Sequence, residues 1–319
     1  MSPQAKNRML FTCLGVFLIA AGAAHASESV SEVKTIYVTS TGDATEQPSL
    51  FIEAQGAGPR PLLVFLHTWS SGYDLDTQPW RDEAAQRNWH FLQPHFRGPN
   101  NTPDACASPL ARQDILDAVG YVLQRHAVDP ARVYLAGASG GGHMTLVMAA
   151  HAPERWAAAS AWCAITDLAA WHRETLEMGN KYARDIELCV GGAPGSSQAV
   201  DEQLRYRSPV HQLHRARGLP LDLATGIHDG HTGSVPVHHT LDAFNVLANA
   251  HGAPLVNAAE MDALAREESL PSREEQDPAF ERTIYLRRYA GSCRVTIFEG
   301  GHEGLPKAAL AFLARYVRE

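Results

Sequence analysis

From about residue 60 to residue 300, short apolar runs alternate with longer stretches in which apolar residues recur every three or four positions. The runs Leu62–Leu66, Trp89–Gln93, Val133–Ala136, Ala157–Trp162, Leu221–Gly226 and Val295–Phe298 are mostly apolar throughout, the pattern of strands covered on both faces. Between and after them, the stretch carrying Ile115, Val119, Val122 and Leu123, and residues 235–251 and 305–319, keep a helical period. Strand and helix in alternation predict an α/β fold with a mostly parallel central sheet and helices on both faces. Ahead of it, residues 35–54 hold two β-rich stretches around a Gly-Asp turn, which predicts an antiparallel hairpin at a sheet edge. Residues 166–209 break the rhythm, being rich in Trp, Glu, Gly and Ser and long for one crossover. They predict a small cap over the carboxyl ends of the strands, where open α/β sheets bind ligands.

Composition narrows the setting. The 319 residues suffice for one large core, and 45% hydrophobic against 19% charged residues is a globular balance. A net charge of −8 argues against a chain that neutralises nucleic-acid phosphates or anionic lipid. Lys6 and Arg8 precede an apolar run from Met9 to Ala24, and Ala24-His25-Ala26 supplies the small residues a signal peptidase reads. Residues 1–26 are therefore expected to be a signal peptide, leaving a single domain over 27–319 that is exported to the periplasm or beyond. The run is short for a bilayer span of about 20 residues, so no stable membrane insertion is expected. Export would put Cys106, Cys163, Cys189 and Cys293 where disulfides persist; three full pairings are open, Cys163–Cys189 being the shortest bridge, beside the alternative of buried thiols.

The chemistry starts at Gly137-Ala138-Ser139-Gly140-Gly141, which follows the strand Val133–Ala136 and precedes a helical stretch. G-x-S-x-G in this context places Ser139 on a sharp turn as a nucleophile, with the Gly140 N–H as an oxyanion donor at a helix N-terminus. A serine hydroxyl needs a base. Sixteen histidines are available, so position in the fold must choose among them. In the order nucleophile, acid, base, His302 fits best, since a strand ending in two glycines delivers it just ahead of the last helix. His231 is the rival base, and His143, one helical turn past Ser139, reads as a packing residue. Asp229, on the loop leaving the strand Leu221–Gly226, is the expected acid, and Asp222, inside that strand, is its competitor. His228, Asp229 and His231 find no further ligands at a recognisable spacing, so neither metal nor other cofactor is expected.

Taken together, "VDPARVYLAGASGGGHMTL", "FRGPN" with "RQDILDAVGYV", "YRSPV" and "EGGHE" resemble the catalytic domain of the prolyl oligopeptidase (S9) group and related secreted esterases of the α/β-hydrolase superfamily, over about Pro61 to Val317. Two departures stand out. Where the family has His-Gly-Gly-Pro, this chain has His67-Thr68-Trp69-Ser70, so the resemblance implies the N–H of Trp69 or Thr68 as second oxyanion donor. Where Val-Pro follows the family's acid closely, Gly230 to Ser234 intervene before Val235-Pro236. No propeller-sized stretch lies between the signal segment and "PLLVFLH", which favours an open site and an esterase acting on acylated carbohydrate or another small ester; an S9-type peptidase cleaving short peptides is the alternative. Trp69, Trp80, Trp162 and Trp171 are candidates to stack on a sugar or to pack the cap. Arg97 could receive a substrate carbonyl or carboxylate, or brace its loop, and His231 could line the site.

Overall fold

The computed structural model describes residues 32–268 and 277–319; the signal segment read at residues 1–26 lies outside them. Strands β1 (Val33–Thr39), β2 (Glu46–Ile52), β3 (Arg60–Leu66), β4 (His90–Pro94), β5 (Val128–Ala138), β6 (Ala158–Trp162), β7 (Leu221–Gly226), β8 (Ile284–Ala290) and β9 (Cys293–Phe298) form one sheet in the order β1-β2-β4-β3-β5-β6-β7-β9-β8. The run from β4 to β9 is parallel, and β1, β2 and β8 add antiparallel edges. The fold is the expected α/β-hydrolase arrangement, edge hairpin included. The edge strand β8 has no counterpart in the sequence reading, because Arg287 and Arg288 interrupt its apolar alternation and one of its faces is half exposed.

Strand β3 shows why the runs are apolar throughout. Leu62, Val64 and Leu66 point into the core on one side of the sheet, while Leu63 and Phe65 point into the other, so period-two geometry buries every position. Helices α1 (Gln78–Gln86) and α9 (Pro306–Leu313) cover the second face; α2 (Pro109–Arg125), α3 (Gly140–His151) and α7 (His238–His251) cover the first. Each fully buried Leu, Val or Phe contributes about 1.5–3 kcal/mol. Local signals start and stop the helices: Ser108 caps α2 by accepting from Ala111 N at 3.0 Å, with Pro109 in the first turn, and Gly252 ends α7 in a left-handed conformation. Helix α9 stops at Leu313, short of the periodic stretch that ran to 319. Another helix, α8 (Ala258–Ala265), opens with a capping box between Asn257 and Glu260.

The cap forms within the predicted segment as α4 (Leu168–Glu177), α5 (Tyr182–Val190) and α6 (Gln198–Arg207). It has its own small core, in which Leu168, Trp171, Ile186 and Leu204 surround Trp69. Cys106 and Cys189 both lie in that core, while Cys163 lies elsewhere, so the shortest bridge read from the sequence does not form and Cys106, Cys163, Cys189 and Cys293 are buried free thiols. No helix among the described residues is long and apolar enough to cross a membrane.

Candidate active site

Ser139 stands where β5 turns into α3, with φ 58° and ψ −122°. A non-glycine residue holds such a conformation only where its surroundings impose it. Here the Ser139 N–H donates to Trp162 O at the end of β6 (2.8 Å), and its carbonyl accepts from His143 N (2.9 Å), so strand and helix grip the turn from both sides. The flanking glycines are required by contact: a Cβ on Gly137 would lie 2.4 Å from Gly141 O, and one on Gly141 would lie 2.0 Å from Leu66 O. A Cβ on Gly140 would lie 2.4 Å from Trp69 N, so the backbone after β3 passes directly against the residue following the serine.

That passage is the expected oxyanion region. Of the two expected donors after β3, the Trp69 amide is the one beside Gly140, whereas the Thr68 side chain pairs with Ser71 Oγ at 2.5 Å. The segment is braced by His67, buried with Nε2 2.6 Å from His95 O and Nδ1 3.0 Å from Thr68 O. Burial holds His67 down at about 4, against the pull of both carbonyls toward the protonated form.

Asp229 leaves β7 and His302 leaves β9, neighbouring strands in the sheet, and the two side chains meet. His302 Nδ1 is 2.8 Å from Asp229 Oδ2 and 3.0 Å from Oδ1. The carboxylate is only 1% exposed and is held by Gly230 N (3.0 Å), Val235 N (3.2 Å) and Thr225 Oγ1 (3.2 Å). The approach of the two loops depends on Gly226, whose Cβ would sit 2.1 Å from Gly300 O, and on Gly233, whose Cβ would sit 2.3 Å from Asp229 Oδ1 and 2.5 Å from His302 Cβ. The segment Gly230 to Ser234, which departs from the family pattern, thus wraps the acid, and Ser234 O ties it to the cap by accepting from Trp171 Nε1 at 2.7 Å. The sequence reading missed this wrapping role; the glycine pair at 230 and 233 was its visible signal.

Cys163 completes the floor. Its Sγ lies within 4.8 Å of the Asp229 and His302 ligand atoms and donates to Glu303 O at 3.1 Å. Burial, reinforced by the Asp229 charge, pushes this thiol well above its usual range, so it stays protonated. Because Cys163 follows Trp162, whose carbonyl holds Ser139, the elbow and the carboxylate–imidazole pair share the same end of β6.

Several expected residues play other parts. Asp222 pairs inside the sheet with Arg294 (2.6 Å) and accepts from Ser160 Oγ (3.0 Å), whereas Asp229 is the carboxylate that meets His302. His231 turns to Ala265 O (2.9 Å), and His228 to Glu267 and Glu299, so neither imidazole meets Asp229. Arg97 is not a substrate ligand: it is consumed by Asp114 (2.5 Å) and Asp43 (2.7 Å) and braces the loop after β4. Trp162, with no exposed surface, packs on Phe280 and Phe298 and donates to Ser160 Oγ. The Trp69 ring, 2% exposed, packs edge-on against Trp171 at 4.8 Å. Trp80 and Trp171 are buried too, so the expected aromatic platform for a sugar does not exist. Trp69 and Trp171 fill the cap core, and Trp80 and Trp162 the core on the second face of the sheet, because each indole offers a large apolar surface.

The family model of the prolyl oligopeptidase family, peptidase S9, matches residues 111–263. Over that stretch the chain is similar to the prolyl oligopeptidase family. The fold is similar to that of acylaminoacyl peptidase from Pyrococcus horikoshii (TM-score 0.64, 15% identity, covering 91% of this chain and 42% of that one). It is also similar to a puromycin-hydrolyzing peptidase from Mycobacterium tuberculosis (TM-score 0.55, 18% identity, 74% and 38%) and to prolyl oligopeptidase B from Galerina marginata (TM-score 0.57, 18% identity, 74% and 35%). The chain spans less than half the length of each of these structures. No curated protein matches it in sequence.

Proposed function

We propose that this hydrolase cleaves short peptides through an acyl-enzyme, with Ser139 as nucleophile, His302 as general base and Asp229 as the acid that orients it. The observation that carries the reading is the Asp229–His302 pair, held through Nδ1 at 2.8 Å on loops that close beside the strained serine turn. Asp229 fixes the tautomer with its proton on Nδ1, which keeps Nε2 for the serine proton. The Ser139 oxygen attacks the carbonyl carbon, the Gly140 and Trp69 amides stabilise the oxyanion, and His302 returns the proton to the leaving amine. Water then repeats the sequence on the acyl-enzyme, with His302 again as base.

Peptides are favoured over acylated carbohydrate for two reasons. The match is to a peptidase family and the similar solved structures are peptidases, while the tryptophans that would have stacked a sugar are buried. A deacylase acting on acetyl or feruloyl carbohydrate esters stays as the second reading, because the same triad chemistry cleaves esters. Export through the signal segment at 1–26 belongs to the same proposal, supported by Lys6, Arg8 and the apolar run that follows.

The test is a side-by-side measurement of kcat/KM on dipeptidyl p-nitroanilides, p-nitrophenyl acetate and acetylated or feruloylated oligosaccharides, for wild type and Ser139→Ala. Turnover of the anilides that is lost in the variant supports the peptidase; turnover of the sugar esters alone overturns it in favour of the deacylase. Amino-terminal sequencing of the protein recovered from the periplasm or medium, beginning at Ser27, tests export.

A further inference from the structure

Away from the triad, Glu174 on cap helix α4 faces the first two residues of α7. His238 Nε2 lies 2.7 Å from Glu174 Oε1, and His239 Nε2 lies 3.0 Å from Glu174 Oε2. The ligand atoms of the three residues fall within 4.8 Å of one another. The outer ring nitrogens are engaged as well: His238 Nδ1 is 3.0 Å from Asp242 Oδ2, and His239 Nδ1 is 3.1 Å from Thr166 Oγ1. Thr166 Oγ1 spends its own proton on His239 O (3.0 Å), so a lone pair is left to accept from that ring.

An imidazole whose Nδ1–H is fixed on an oxygen presents its Nε2 lone pair on the far side, and this is how outer contacts orient metal-bound histidines. Here the two Nε2 atoms converge on one carboxylate, which holds them through N–H···O hydrogen bonds when they carry protons and through a shared cation when they do not. A proton on Nε2 serves without metal; His239 then uses its other tautomer, with Nδ1 accepting from Thr166 N at 3.3 Å. A divalent ion takes the place of those protons once the ligand atoms spread by about half an ångström, since two nitrogens and one oxygen are a donor set suited to zinc and its neighbours rather than to calcium or magnesium. His239 is fully buried, whereas the His238 and Glu174 side chains are 33% and 24% exposed, so the point is reachable from solvent and a fourth position is left for water.

We propose that Glu174, His238 and His239 form a site for a zinc-like divalent transition metal that clamps cap helix α4 to α7. The clamp bears on the active site, because α4 also carries Trp171, whose ring packs on Trp69 beside Gly140 and whose Nε1 holds Ser234 next to the acid. The inference does not depend on which bond the triad cleaves.

The experiment uses the full chain, treated with chelator and then titrated with Zn²⁺ by calorimetry and with Co²⁺ by visible absorption, with melting followed in parallel. One Zn²⁺ per chain, a visible Co²⁺ spectrum and a rise in melting temperature are expected. His238→Asn and Glu174→Gln should each weaken Zn²⁺ at least about tenfold, and Asp242→Asn, which removes only the outer contact, by about tenfold or less. Cys163→Ser should leave the affinity unchanged, which separates this site from the triad cluster of Cys163, Asp229 and His302. Absence of Zn²⁺ binding by wild type, or binding that neither His238→Asn nor Glu174→Gln weakens while circular dichroism shows both folded, overturns the proposal.

Discussion

Two regions of this molecule set a carboxylate against imidazole, and they do so differently. At Asp229 the carboxylate is buried and fed by two backbone amides and a threonine hydroxyl, and it meets one histidine through Nδ1. At Glu174 both oxygens go to two histidines through Nε2, and the other ring nitrogens are engaged too. There burial lowers His238, but Asp242 and Glu174 together hold it up at about 9, and Glu174, despite its own desolvation, is held down to about 2 by the two histidines. A histidine aimed by one nitrogen can move a proton with the other; a histidine held by both braces structure or binds a cation. The bond left over, rather than the charge pair itself, marks the catalytic case.

The sharpest way to break that contrast is to remove the proton's donor. Ser139→Ala should lower kcat by a factor on the order of 10⁶ with little change in melting temperature, measured on whichever substrate the wild type turns over best. Asp229→Asn keeps the shape but allows the wrong tautomer of His302, and a loss of about 10⁴-fold in kcat is expected. The corresponding change at the other pair, Glu174→Gln, should leave kcat within about tenfold and instead cost about 1–3 kcal/mol in urea unfolding, as expected for unpaired buried imidazoles. Equal activity losses in the two variants would erase the distinction.

Gly233→Ala tests the wrapping of the acid. Its Cβ would press on both Asp229 and His302, so the loop must yield; a displacement near 1 Å should reduce kcat about 10²-fold while the fold persists. The smallest expected effect concerns His67, a histidine paired with carbonyls alone. Its folded pKa of about 4 lies below the ordinary 6.5, so the unfolded chain takes up the proton first as pH falls. Its contribution to stability is complete above pH 6.5, declines between 6.5 and 4, and is level below, a loss on the order of 3 kcal/mol. Urea midpoints across that window should flatten in His67→Gln.

Reading the sequence reached the strands, the edge hairpin, the helices within residues 166–209, the sharp turn at Ser139 and the loops that pair Asp229 with His302, because each rests on a local signal. A run buried on both faces is apolar at every position, and a serine on a strained turn carries its glycines beside it. Strand β8 escaped because an edge strand tolerates Arg287 and Arg288, and the tryptophans were misplaced because an indole in a loop near the active end looks the same whether it faces a ligand or a core. Arg97 was ambiguous for a like reason: its partners Asp43 and Asp114 lie 54 and 17 residues away.

Order along the chain, then, was sufficient for the α/β pattern, the strained turn at Ser139 and the loops that carry Asp229 and His302, since these depend on neighbours within a few residues. Only the packed structure could decide that Gly230 to Ser234 cradle the acid, that Cys106 and Cys189 share the cap core, and that Glu174 reaches His238 and His239 some 64 residues on. Such contacts join residues whose side chains carry no mark of their partner; the sheet order and the cap bring them together, and hydrogen-bond geometry at short range then determines what each can do.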